Sequence, residues 1–107
     1  MLSFVKARRI AEAWVNIVTD GSATLDRDKT QARPSGWLFY WNSKEYLANP
    51  PNEDARLIGN VPIFVDRVNG EVFVAGPVSS NWLVSYEASI PAARLTMAPE
   101  LPHWDAR

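Results

Sequence analysis

Residues 37–41 read Trp-Leu-Phe-Tyr-Trp, five large apolar or aromatic side chains in succession within a chain of 107 residues. Side chains alternate across a strand, so an extended backbone puts Trp37, Phe39 and Trp41 on one face and Leu38 and Tyr40 on the other. Neither face is polar, which marks a central strand. Buried on both sides, such a strand is the middle of a sheet. Left open on one side, it is part of a surface that something else must cover. The expected arrangement puts Phe39 in the core with Trp37 and Trp41 at its margins.

The flanking segments supply the cover. From Ser3 onward Phe4, Ala7, Ala11, Trp14 and Val18 recur at helical spacing, and Ile10 and Ile17 widen the stripe. Ser3 is a suitable N-cap and Asp20-Gly21 a suitable stop. Residues 22–36 are polar, with Leu25 their only large apolar residue, and read as an edge strand or extended loop. Pro34-Ser35-Gly36 turns into the aromatic run. The connection 44–58 carries Pro50-Pro51, which excludes regular structure through its middle.

Beyond it, "VPIFVDRV" and "EVFVAG" flank Asn69-Gly70, a signal for a two-residue hairpin turn whose central positions both take positive φ. That turn sets Asp66 opposite Phe73 and Val65 opposite Val74. One hairpin face then carries Ile63, Val65, Val72 and Val74. The other carries Phe64, Phe73 and Ala75, interrupted by Asp66 and edged by Glu71. Gly59-Asn60, before Val61-Pro62, reads as the turn entering this hairpin. After it, Ser79 or Ser80 caps a helix with the stripe Trp82, Leu83, Tyr86 and Ile90, closed by Pro91.

The order of elements predicts an α+β fold: an antiparallel sheet of three to four strands, with an N-terminal and a C-terminal helix packed on one face. Residues 1–90 are expected as a single domain and 91–107 as an extended proline-rich tail, pinned by Leu95 or Trp104.

Charge and composition narrow the function by exclusion. Eleven Lys and Arg against twelve Asp and Glu leave a net charge of -1, no footprint for a nucleic-acid backbone. The absence of cysteine removes disulfides, thiolate chemistry and zinc-thiolate sites, and fits a cytoplasmic protein. No apolar run is long enough to span a membrane. The single histidine, His103, lies in the proline-rich tail, a poor place to hold a catalytic group rigid. Asp26 and Asp28, Glu53 and Asp54, and Asp66 and Glu71 read as solvated loop and edge charges rather than facing acid and base groups. No nucleotide, zinc or calcium motif is present. A non-enzyme without cofactor or metal is expected.

The N-terminal amphipathic helix, "GWLFYWNSKEYL", "LIGNVPIFVDRVNGEV" and "GPVSSNWLVSYE" together resemble the immunity protein 35 family, also described as YrhB-domain proteins. The motifs carrying the resemblance are Gly36-Trp37, Trp41-Asn42-Ser43, Gly59-Asn60 with Pro62, and the hairpin from Asp66 to Asn69-Gly70. It runs from the first helix to Glu87. It implies an antitoxin that neutralises a toxin of a bacterial polymorphic toxin system encoded beside it. The YrhB name also implies a second reading, a chaperone-like protein that binds unfolded clients and suppresses aggregation.

An antitoxin needs only to bind tightly and occlude. If both helices cover one sheet face, Leu38, Tyr40, Phe64 and Phe73 offer roughly 400 Å² of apolar surface on the other. Tyr40 and Trp41 are the expected hot spots, and Asp66, Glu71, Glu53 and Asp54 an acidic rim. The competing arrangement places Leu38 and Tyr40 beneath the tail or the 44–58 connection.

Overall fold

Two antiparallel sheets divide the aromatic run between them. The computed structural model describes residues 1–49, 53–58, 60–75 and 82–104. Strand β3 (Gly36–Phe39) lies inside a four-stranded sheet of order β2-β3-β5-β6, with β2 spanning Gln31–Arg33, β5 Ile63–Asp66 and β6 Val72–Val74. Strand β4 (Trp41–Ser43) pairs instead with β1 (Ala23–Leu25) in a two-stranded ribbon. The expected single strand breaks at Tyr40, whose carbonyl accepts from the Asp26 amide at 2.8 Å and so leaves the ladder.

Helix α1 (Phe4–Val18) covers one face of the larger sheet. The Ser3 hydroxyl accepts from the Lys6 amide at its start, and Asp20 and Gly21 adopt positive φ at its end. Its buried residues are Phe4, Ala7, Ala11 and Val15, packed on Trp37, Phe39, Ile63 and Val65. Val15 is buried in place of the expected Val18, and Ile17 and Val18 in the last turn are exposed. Trp37 is fully buried rather than marginal, since its indole lies under residues 98–104 and donates to the Glu100 carbonyl at 2.8 Å.

The second expected helix is α3 (Trp82–Ala88), preceded by Ser79 and Ser80, which lie outside the described residues. It does not share a face with α1. Trp82, Leu83 and Tyr86 pack on Leu38, Phe64, Phe73 and Ala75, on the opposite side of the sheet from the α1 core. The reason is the doubly apolar run itself: Leu38 and Phe64 need cover as much as Trp37 and Phe39 do. The connection 44–58 also holds more structure than its diproline suggests, with α2 at Lys44–Ala48 and a 3₁₀ turn at Glu53–Ala55.

The β5-β6 hairpin departs from the two-residue turn. Asp66 pairs with Glu71 through an amide-to-carbonyl bond of 2.9 Å, so the loop comprises Arg67, Val68, Asn69 and Gly70. Only Gly70 takes positive φ, +75°; Asn69 does not. The Asp66 carboxylate accepts from the Val68 and Asn69 amides and winds the loop around itself. Phe64 therefore faces Phe73, and Val65 faces Val72. This register lies two residues from the expected one, and an even shift keeps every side chain on its expected face.

Gly36 has a fixed steric role. A Cβ there would stand 2.1 Å from the Val65 carbonyl oxygen and 2.8 Å from the Phe64 ring, at a φ of +155°. Only glycine lets β3 approach β5 this closely. Gly36→Ala is expected to lower the unfolding free energy by about 3 kcal/mol, as strand separation or backbone strain replaces the clash. Chemical denaturation with tryptophan fluorescence measures it, and a change below about 1 kcal/mol would contradict this account.

Candidate functional site

The face that the sequence left open for a partner is closed. Phe64 and Asp66 have no exposure and Leu38 has 7 %. Phe73 packs against Trp82 and Tyr86 at ring separations of 5.8 and 5.1 Å. Trp82 and Tyr86 stack one helical turn apart with an interplanar angle of 3°, so α3 presents a continuous aromatic cover. Leu38, Phe64, Phe73 and Asp66 are thus removed from the expected docking face.

Asp66 is instead the centre of a buried polar cluster. Arg94 Nη2 donates to both carboxylate oxygens at 2.7 Å, and the Tyr86 hydroxyl donates to Oδ2. The Val68 and Asn69 amides donate to Oδ1 at 2.7 and 3.2 Å. Burial pushes the Asp66 carboxyl up, but the hydrogen bonds from Tyr86, Arg94 and the two amides outweigh it and hold it below the ordinary 3.8. Burial, followed by the Asp66 carboxylate, pushes the Tyr86 hydroxyl well above its ordinary value and keeps it a donor. The charge is satisfied from all sides and unavailable to solvent.

Concave surface occurs on the other side of the Tyr40 break. A groove of about 340 Å³ is lined by Tyr40, Trp41, Tyr46, Arg56, Ile58 and Pro62, with Asp26 and Lys29 also on its wall. It exists because β4 holds Ala55, Leu57 and Asn60 to itself. Asn42 Oδ1 accepts from the Leu57 amide at 2.8 Å, and Ser43 Oγ donates to the Ala55 carbonyl at 2.6 Å. Trp41 Nε1 donates to the Val61 carbonyl at 2.9 Å, and the Asn60 amide returns a hydrogen bond to the Trp41 carbonyl. Ser43 also caps α2, accepting from the Tyr46 amide, and so brings the Tyr46 ring to the groove.

Of the sequence candidates, Tyr40 and Trp41 meet here. Glu53 and Asp54 are exposed on the adjoining 3₁₀ turn, where Glu53 pairs with the groove residue Arg56 at 3.6 Å. Arg56 also lies 5.9 Å from the Tyr46 ring. Glu71 is exposed, but at the opposite end of the β5-β6 hairpin. Asn60 and Pro62 precede β5: Pro62 is buried and its carbonyl accepts from the Ala75 amide at 2.9 Å. Gly59 lies outside the described residues. Sequence reading missed Tyr46, Arg56 and Ile58, the last 89 % exposed. The cap at Ser43 was the one signal for Tyr46; nothing local marked Ile58.

Among the described residues, no group of three or more His, Asp or Glu is placed to hold a metal ion. Among the same residues, no helix is long and apolar enough to cross a membrane. The groove offers rings, amides and paired charges, which is the equipment of a surface that binds.

Comparison with known proteins places the chain in a family. The family model for immunity protein 35 matches residues 5–89, and the chain belongs to that family. The family is one of immunity proteins, which implies a protein partner and suggests a role other than catalysis. The chain is also similar to a protein of Escherichia coli (strain K12) described as uncharacterized protein YrhB. The two are 35% identical over 54 residues, 49% of this chain and 56% of that protein. The chain thus spans about half the length of that curated relative. No solved structure matches.

The buried cluster gives a stability signature. Asp66, with its pKa depressed by folding, contributes stability that is present above the unfolded carboxylate value and lost as pH falls through the lower folded value. Asp66→Asn, leaving the Arg94 guanidinium without its counter-charge, is expected to cost about 3 kcal/mol at pH 7. It should also flatten the loss of stability below about pH 4. Denaturation series at several pH values test both. Parallel acid limbs for the two proteins would place the acid sensitivity elsewhere.

Proposed function

We propose that this chain is an antitoxin that binds a cognate bacterial toxin in the cytoplasm and neutralises it by steric occlusion. Membership of the immunity protein 35 family carries the reading. Occlusion asks for a rigid surface, not a reacting group, and the groove beside β4 supplies aromatic rings already held in place. Tyr40, Trp41 and Tyr46 are the hot-spot residues of the proposed interface, and the exposed Glu53 and Asp54 form part of its rim.

A specific interface needs about 800 Å² from each partner, more than the groove alone. The rim must therefore contribute, and acidic rim residues favour a toxin with a basic surface around its active site. The chaperone-like alternative is less favoured because α3 lies over the apolar face that unfolded clients would need open.

Co-expression with the toxin encoded beside it is expected to protect cells, with neutralisation saturating at a fixed molar ratio. Tyr46→Asp combined with Asp54→Lys should leave the thermal transition within a few degrees of wild type and weaken toxin binding at least tenfold, by calorimetry. Protection at substoichiometric amounts, or undiminished binding by this double variant, would count against the occlusion reading and this interface respectively. By contrast Phe64→Asp, which buries a carboxylate beneath α3, should abolish cooperative unfolding altogether.

A further inference from the structure

Beyond the 3₁₀ turn at Ala92–Thr96 the chain runs extended over the junction of α1 and β3. Among the described residues, no backbone-to-backbone hydrogen bond fastens residues 97–104 to a helix or strand. Side chains of the body collect its carbonyls instead. Arg67 Nη1 donates to the Ala98 carbonyl at 2.6 Å, Trp37 Nε1 to Glu100 at 2.8 Å, and Arg8 Nη1 to Trp104 at 2.7 Å. The Trp104 ring meets Phe4 edge-on at 5.1 Å, and the guanidiniums of Arg8 and Arg27 lie 5.8 and 5.1 Å from its centroid.

This is the chemistry by which binding domains take polyproline II segments: an indole and other side-chain donors for the free carbonyls, and a socket for a side chain. Met97 enters with φ -69° and ψ 141°, in that conformation, and Pro99 and Pro102 restrict the backbone that follows. The Glu100 carboxylate accepts from the Phe4 amide at 3.2 Å, where the positive end of α1 favours an anion. Arg8, Arg27, Trp37 and Arg67 lie within the residues matched by the family, 5–89, and the segment they hold lies beyond it.

We propose that the groove floored by Phe4 and Trp37 is a docking site for an acidic, proline-containing extended segment of a protein partner that carries an aromatic residue. Residues 98–104 occupy it in cis. The α1 terminus at its floor, where the Phe4 amide donates to Glu100, selects for the acidic character, the arginines hold the carbonyls and flank the ring, and the Trp104 socket selects for the aromatic. The site is separate from the groove beside β4 and does not rest on the antitoxin reading. A tethered tail competes at an effective concentration on the order of mM, so a free segment reaches only molecules whose tail is lifted.

The probe is a labelled peptide of sequence MAPELPHW, copied from residues 97–104. It is titrated by fluorescence anisotropy into the full chain and into its Trp104→Ala variant, whose own tail is loosened. The variant is expected to bind the peptide at least about tenfold more tightly than wild type, and a peptide with alanine for the tryptophan to bind about tenfold more weakly. A folded variant that binds the peptide no better than wild type would overturn the proposal. Should Trp104→Ala lack a cooperative transition, Pro102→Gly loosens the tail while keeping Trp104 in its socket, and a gain of about threefold is expected. An unchanged affinity there overturns the proposal equally.

Discussion

A charge without exposure must be matched by donors from every direction, and Asp66 draws those donors from three separate stretches of chain. The hairpin loop gives two amides, α3 gives the Tyr86 hydroxyl, and the 3₁₀ turn that follows gives Arg94. None of these groups can move away without leaving the carboxylate short, so one side chain fixes the loop length, the seat of α3 and the start of the C-terminal segment. Helix α3 in particular has no buried residue of its own. Its position depends on ring stacking, on this anion and on the Glu87 carboxylate, which accepts from the Arg33 guanidinium of β2 at 2.7 Å. Such clusters add less to net stability than to the choice of a single arrangement.

The fold class was legible because its signals are local. Helical spacing gave α1, and alternation with a turn residue gave β5 and β6. What escaped was set by contacts that compete with those signals. The hairpin register moved because the Asp66 carboxylate claimed the loop amides two and three residues on, a local contact that won over the Asn-Gly turn. The aromatic run broke at Tyr40 because the Asp26 amide, fourteen positions earlier, took its carbonyl. The placement of the two helices went astray for a related reason: amphipathicity says that a helix has a face to bury, but not which side of a doubly apolar sheet receives it.

The candidate site shows the same division. Tyr40 and Trp41 stood out as aromatics, whereas the concavity that gathers them with Tyr46 comes from Asn42, Ser43 and Asn60 holding an otherwise irregular segment against β4. Short polar residues next to tryptophan look like ordinary strand-end chemistry in a sequence. In the fold they decide where the surface is concave. The expected docking face failed for a different reason, since Leu38, Phe64 and Phe73 are apolar enough to need cover from the chain itself and α3 supplies it.

Phe4 hydrogen-bonds through its amide to Glu100 and packs its ring on Trp104. This contact closes a loop of nearly the whole chain, and loop closure of that length is among the slowest kinds of native contact to form. During synthesis the first helix is made early, and its Phe4 ring can meet Trp37 and Phe39 before Trp104 is made. One flank of that ring stays open until Trp104 emerges, and the interval before then leaves this part of the core exposed to misassembly.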